Sequence, residues 1–283
     1  MKIFAIADLH LPAQKKPMDI FGAHWERHFE RIAQDWRARV AVEDVVLLPG
    51  DLSWAMTLGE AQEDLDAIGA LPGRKLLLRG NHDYWWSSIS RVRDALAPDM
   101  FAIQNDAVFL DGALFAGSRG WTSLSGEAAD EKIRQREKMR LEMSLKAARA
   151  LDAAAPLYVM THYPPLSLED RENDVTAMLS RYGAKCVAYG HLHGAAIRYA
   201  FEGEWGGVQY HLVSCDALGF TLRLLGEEGR VGFFRKRSKR HFCASIIEHI
   251  IKILRRGAPV GAAARFFCLL RMLQLASISM RNI

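Results

Sequence analysis

KLLLRGNHDYWW, Lys75 to Trp86, joins an apolar run (Leu76, Leu77, Leu78) to a glycine at position 80 and then to Asn81, His82 and Asp83. A short apolar run that stops at a glycine marks a buried strand reaching a sharp turn. The stretch therefore predicts polar side chains, suited to metal binding or acid–base work, at the mouth of a sheet. One such cluster decides nothing. The same arrangement recurs four more times along the chain, and the recurrence sets the fold.

The other clusters are ADLH, with Asp8 and His10; PGD, with Asp51; TH, with His162; and GHLH, with His191 and His193. Each ends an apolar run (KIFAIAD, VVLLPGD, PLYVMTH, AKCVAYGHLH), and Gly50, Gly80 and Gly190 immediately precede the polar residue in three of the five. Glycine there allows a tight turn and close backbone approach. Open α/β sheets bind ligands outside the carboxyl ends of their strands, so the five clusters are expected to converge on one crevice. In extended chain, residues two apart share a side, which pairs Asp8 with His10 and His191 with His193. Taken singly, an Asp or His at a strand end is more often a turn residue or a hydrogen-bonded core histidine. Five of the ten histidines falling in such clusters is poorly explained that way.

Two Asp, one Asn and four His are too many donors for one tetrahedral ion but suit two cations sharing a carboxylate. Mixed imidazole and oxygen donors favour manganese, iron or zinc over calcium. Two cations about 3.5–4 Å apart activate water and clamp the oxygens of an in-line phosphoryl displacement.

Between the clusters, Trp25, Phe29, Ile32 and Trp36 recur at helical spacing and predict a helix from Asp19 to Arg39. His24 and His28 lie four apart on it. HWERH lacks the glutamate offset of a metalloprotease helix, so a solvated helix face is the expectation there. An acidic helix is expected through Ile68, then short strands in FAIQN, AVFLDG and ALFAGSRGW. Glu127 to Ala154, free of Gly and Pro, predicts a long solvent-flanked helix, one side of a cap over the site. A short helix from Asp174 to Tyr182 and a closing hairpin of Ala196–Glu202 and Val208–Val213 around GEWGG complete an α/β layered domain.

With 283 residues, half of them apolar and a quarter charged, the composition is that of a globular protein with a sizeable core. The start, MKIFAIADLH, does not read as a signal peptide, and no apolar stretch reaches spanning length. Four scattered cysteines (Cys186, Cys215, Cys243, Cys268), without a Cys-x-x-Cys pair, suit a reducing cytoplasm and argue against a cysteine–zinc site. The net charge of +4 hides an asymmetry: from Arg235 onward eleven Lys or Arg face one acid, Glu248. Residues 235–283 therefore form a basic, partly amphipathic tail on the domain of residues 1–234. Such a tail fits an anionic partner or membrane surface, or is an appendage of little functional weight.

The order D-x-H, G-D, G-N-H-D, H, G-H-x-H resembles the calcineurin-like metallophosphoesterase superfamily, from Met1 to about Phe234. The resemblance implies a four-layer αββα sandwich with two mixed β-sheets and a dinuclear metal centre at the strand C-terminal ends. It implies one ion on Asp8, His10, Asp51 and His193, and a second on Asp51, Asn81, His162 and His191, with Asp51 bridging. It further implies a metal-bridging hydroxide as nucleophile and His82, off the metals, protonating the leaving oxygen or steadying the phosphate. The expected activity is hydrolysis of a phosphodiester or phosphomonoester with manganese, iron, zinc or magnesium. The alternatives are a catalytically silent scaffold of the same fold, or a protein directed to nucleic acid or membrane by its tail.

One segment departs from the family's phosphoprotein phosphatases. Their G-D-x-V-D-R-G carries a second Asp that supports the acid histidine, whereas GDLSWAM places Trp54 there. Support for His82 is then expected from Asp83, and protein phosphatase activity is disfavoured. Trp54, Trp85, Trp86, Trp121 and Tyr163 lie close in sequence to the clusters and are candidates for an aromatic rim, against simple packing of the loops. Arg79 and Arg119 are candidates for a phosphate clamp.

Overall fold

The computed structural model describes residues 1–11, 18–121 and 128–229. The tail, and with it the expected anionic-partner or membrane role, lies outside the described residues. The apolar runs form the expected strands: β1 (Lys2–Ala5), β2 (Val45–Leu48), β3 (Arg74–Leu77), β4 (Met100–Ala102), β5 (Ala107–Leu110), β6 (Ala113–Ser118), β7 (Leu157–Thr161) and β8 (Ala184–Tyr189). Three more follow: β9 (Gly203–Trp205), β10 (Val208–Leu212) and β11 (Arg223–Glu227). They assemble into two sheets, β11-β1-β2-β3-β4 and β5-β6-β7-β8-β10-β9. Each is parallel at its centre with an antiparallel edge, so both are mixed.

Strand periodicity builds the layers. Ile3, Ala5, Val45 and Leu47 of one sheet meet Phe115, Tyr158, Met160 and Ala188 of the other in an inner core. On the outer face of the first sheet, Phe4, Val46 and Leu48 pack under α1 (His28–Arg39), α2 (Leu58–Gly69) and α3 (Ile89–Ala95). On the outer face of the second, Leu114, Val159 and Val187 pack under α4 (Ala128–Leu151) and α5 (Asp174–Arg181). Helix, sheet, sheet, helix is the expected four-layer sandwich. A capping box of Thr57 and Glu60 starts α2, and Asn173 with Thr176 starts α5. Among the described residues no helix is long and apolar enough to cross a membrane.

Several elements differ from expectation. The helix expected from Asp19 is two 3₁₀ turns, Met18–Phe21 and Ala23–Trp25, and α1 begins only at His28. Gly22 and Arg27, both with positive φ, interrupt the helical path. His24 and His28 thus sit on different elements. His28 is buried, with Nε2 on the Leu9 carbonyl at 2.8 Å, while His24 is exposed, so they form no metal pair. Helix α4 is an outer layer, with Leu141, Leu145 and Ala148 in the core, rather than a free cap. The hairpin is shorter, β9 to β10 across Gly206 and Gly207, both at positive φ as a two-residue turn of this hand requires, and residues 194–199 form a 3₁₀ helix. Strand β11 went unanticipated because RLLGE alternates too weakly to announce an edge strand.

Candidate metal centre

Beyond Ala5 the chain stops pairing as a regular strand but stays tied on both sides. Ala7 donates to the Val213 carbonyl and accepts from Cys215 N, a bridge that stitches the two sheets together beneath the site. Asp8 N donates to Gly50 O and His10 N to Asp51 O, which sets these turns side by side. Asp8, His10, Asp51 and His191 all have positive φ (60°, 44°, 54° and 74°). Asp8 and His10 do come together, with His193, but left-handed turns rather than the expected strand alternation aim these side chains, and His191 turns instead to Asn81. All three glycines are needed for contact, and a Cβ on Gly50 would lie 2.6 Å from the Gly80 backbone. A Cβ on Gly80 would enter the Asp51 carboxylate and backbone, and one on Gly190 would lie 2.5 Å from Asp8 Oδ2.

The turns bring all seven candidate ligands together. His193 Nε2 lies 3.5 Å from Asp8 Oδ1, and His10 Nε2 is 3.9 Å from Asp51 Oδ2. His162 Nε2 lies 3.5 Å from Asp51 Oδ2 and 2.5 Å from Asn81 Oδ1, and His191 Nδ1 is 3.0 Å from that same oxygen. Asp51 stands between the two halves. Asp8–His10–His193 and Asp8–Asp51–His162 are each close enough to share an ion. The approach of His162 to Asp8 is through Nδ1, however, and that nitrogen is already directed at the Pro49 carbonyl at 3.0 Å. A cation held by His162 would therefore be met by Nε2, on the side of Asp51 and Asn81.

This geometry fits cations. A carbonyl only accepts, so His162 Nδ1 carries the hydrogen and a neutral ring offers a bare lone pair at Nε2. That lone pair faces the Asn81 oxygen, two acceptors with nothing to share. Burial, the largest influence, holds His162 below its usual range, and it pulls His10 to about 3 and His191 to about 4. For Asp8, burial works upward but the imidazoles of His193, His162 and His10 hold the carboxyl below its ordinary range. Asp51 is pushed up to about 9 by burial and by the Asp83 and Asp8 carboxylates. Crowded acids and the neutral imidazoles of His10, His162 and His191 around shared oxygens form a donor set that a divalent cation satisfies.

Asp216 was missed. Its Oδ1 is 2.9 Å from His193 Nδ1, and Oδ2 accepts from Gly194 N at 3.0 Å. It fixes a hydrogen on Nδ1 and leaves Nε2 turned to Asp8, 3.5 Å from Oδ1. Burial opposes a charge on His193, but Asp8 and Asp216 outweigh it and raise the ring to about 10. The signal was present, because HLVSCD is another apolar run ending in an acid. Asp216→Ala is expected to weaken divalent-metal affinity by about 10- to 100-fold, measured by metal titration against a competing chelator, with the fold intact.

Asp83 does not support His82, as had been expected. Fully buried, its carboxylate accepts from the backbone N of Asp51, Leu52, Ser53 and Gly80 and from Trp85 Nε1. It ties the Gly50 and Gly80 turns to each other. His82 Nδ1 is buried with no hydrogen-bond partner, and burial lowers the ring's affinity for a proton. Packing positions it instead: the Trp54 ring is 4.6 Å from His82 and stacks on His10 at 4.9 Å and 22°. Trp85 and Trp86 are core residues, so they are removed from the expected aromatic rim. Arg119 Nη2 lies 3.7 Å from Glu137 and its guanidinium rests 5.3 Å from the Trp121 ring centre. Arg79 is half-buried with Nε unpartnered.

Fold and site together define an αββα sandwich with a candidate metal-binding group where its strands end. The family model for calcineurin-like phosphoesterases matches residues 1–195, and the chain belongs to that family. It is 37% identical over 86 residues to the gene 66 protein of Mycobacterium phage D29, a match covering 29% of this chain; the chain spans 40% of that relative's length. A protein of unknown function from Aquifex aeolicus superposes with a TM-score of 0.43 at 15% identity, covering 79% of this chain and 95% of the other.

Proposed function

We propose that the chain is a phosphoesterase with two divalent cations, manganese first among manganese, iron, zinc and magnesium, and that it acts on phosphodiesters ahead of monoesters. The position of Asp51 carries this reading: one carboxylate between His10 on one side and His162 with Asn81 on the other, as a shared ligand requires. Asp8, His10, Asp51 and His193 would hold one cation, and Asp51, Asn81, His162 and His191 the other. The cations supply Lewis acidity that activates water and neutralises the phosphoryl oxygens. His82, neutral and bordering His10, would then place its ring by the leaving oxygen, held there by Trp54. Both described cysteines are buried free thiols, in keeping with the cytoplasmic location proposed here.

The test is hydrolysis of an aryl phosphodiester and the matching monoester by protein stripped with chelator and reloaded with manganese, zinc or magnesium in turn. Turnover that appears only on reloading supports the proposal, and protein inert with every metal overturns it. His82→Ala is expected to lower kcat by about a hundredfold while bound metal, counted by elemental analysis, stays at the wild-type level.

A further inference from the structure

Helix α4 is buried along one stripe and bare along another. Leu141, Ser144, Leu145 and Ala148 face the second sheet. Lys138 and Glu142 lie on the flank towards α5, where Lys138 donates to Asp174 and Glu142 accepts from Arg181. On the solvent side, Lys132, Arg136, Met139, Met143, Lys146 and Ala150 recur at alternating steps of four and three, and all six are exposed. Met139 and Met143 are 58% and 53% exposed, with cations on either side of them along the helix. Arg140, also exposed, borders the same stripe. Arg140 and Lys146 share acids that belong to other sides of the helix, Glu137 and Glu142, and Lys132 and Arg136 form no ion pair among the described residues. The stripe itself carries no acid. On the adjoining strand β5, Phe109 turns to the α4 side, since Val108 and Leu110 pack on the inner core, and it is 41% exposed.

We propose that this face of α4 docks on a bilayer surface of anionic phospholipids. A negative headgroup layer favours each Lys or Arg beside it by about fivefold in partition, and apolar side chains between those cations enter the headgroup–acyl boundary. Both halves of the stripe are then used. A nucleic-acid backbone matches the cations but leaves two methionines and a phenylalanine in water. A second copy of α4 sets cations against cations. From Arg235 onward the sequence holds eleven Lys or Arg against one acid, so the chain's attraction to an anionic surface does not rest on α4 alone.

The test mixes the full chain with vesicles of phosphatidylcholine alone or rich in phosphatidylglycerol, and reads the bound fraction by co-sedimentation. Binding is expected only to the anionic vesicles and is expected to weaken as salt is raised. Lys132→Glu with Arg136→Glu is expected to lower the partition coefficient at least about 25-fold, and Met139→Ser with Met143→Ser at least about tenfold. Arg37→Glu with Arg91→Glu, at exposed positions of α1 and α3 on the opposite outer layer, changes the net charge equally and is expected to stay within about threefold of wild type. Thermal unfolding checks that each pair leaves the fold intact. No binding to the anionic vesicles overturns the proposal. So does a loss with the Arg37 and Arg91 pair as large as with the Lys132 and Arg136 pair, or a methionine pair without effect. DNA duplex binding that falls with the Lys132 and Arg136 pair and ignores the methionine pair assigns the face to a nucleic-acid backbone, and overturns it too.

Discussion

Asp51→Asn is expected to reduce metal-dependent phosphodiester hydrolysis below about one thousandth of wild type while the protein remains folded. An amide cannot serve two cations as a carboxylate does, and losing about 4 kcal/mol of transition-state stabilisation corresponds to a thousandfold in rate. The same substitution should stabilise chelator-treated protein. The Asp51 carboxyl is raised from its ordinary 3.8 to about 9 by burial and the neighbouring Asp83 and Asp8 carboxylates. Between those values the unfolded chain has lost the proton and the folded chain keeps it. Wild-type stability therefore falls as pH rises from about 4 towards 9, and an asparagine feels no such loss. The melting-temperature advantage of the variant should widen across that window. Added manganese should raise the melting temperature of the wild type more than that of the variant. A variant that hydrolyses the diester at the wild-type rate would remove Asp51 from the site.

Asp83→Ala is expected to cost at least about 3 kcal/mol in stability, the larger effect on the fold of any single change around the centre. It leaves four backbone N–H groups and the Trp85 indole buried without an acceptor, and each unsatisfied donor costs about 1–3 kcal/mol. Because these bonds join the Gly50 turn to the Gly80 turn, Asp51 and Asn81 should lose their mutual placement together. Asp83→Asn keeps the shape and half of the acceptor capacity, and should fall between wild type and alanine in urea denaturation. If alanine unfolds at the wild-type urea midpoint, the carboxylate is not the tie between the turns.

The layers and the gathering of the candidate ligands at one place were legible because both depend on local pattern: apolar runs that stop at Gly50, Gly80 and Gly190, with a ligand-type side chain next. What pattern could not convey was how the turns are built. Strand alternation fails at Asp8 and His10 because the backbone there is left-handed. The work of Asp83 was invisible because its donors come from residues 51–53 as well as its own loop, a pairing only the folded chain makes. Asp216 shows the opposite case, a pattern present and passed over. Trp85, equally near the clusters in sequence, points into the core, so adjacency to a motif says little about facing it.

The left-handed backbone at Asp8, His10, Asp51 and His191 bears on how such a chain changes over evolutionary time. Each of these residues has a Cβ in a conformation that glycine adopts freely, at roughly 1–3 kcal/mol apiece in unfavourable strain. Glycine at these positions would relieve the strain, while at Asp8 and Asp51 it would also remove the carboxylates that accept from the backbone N of His191 and His82. A lineage that had stopped using the centre would have little to hold four strained ligands in place at once. Their joint presence in this chain fits the phosphoesterase proposed above.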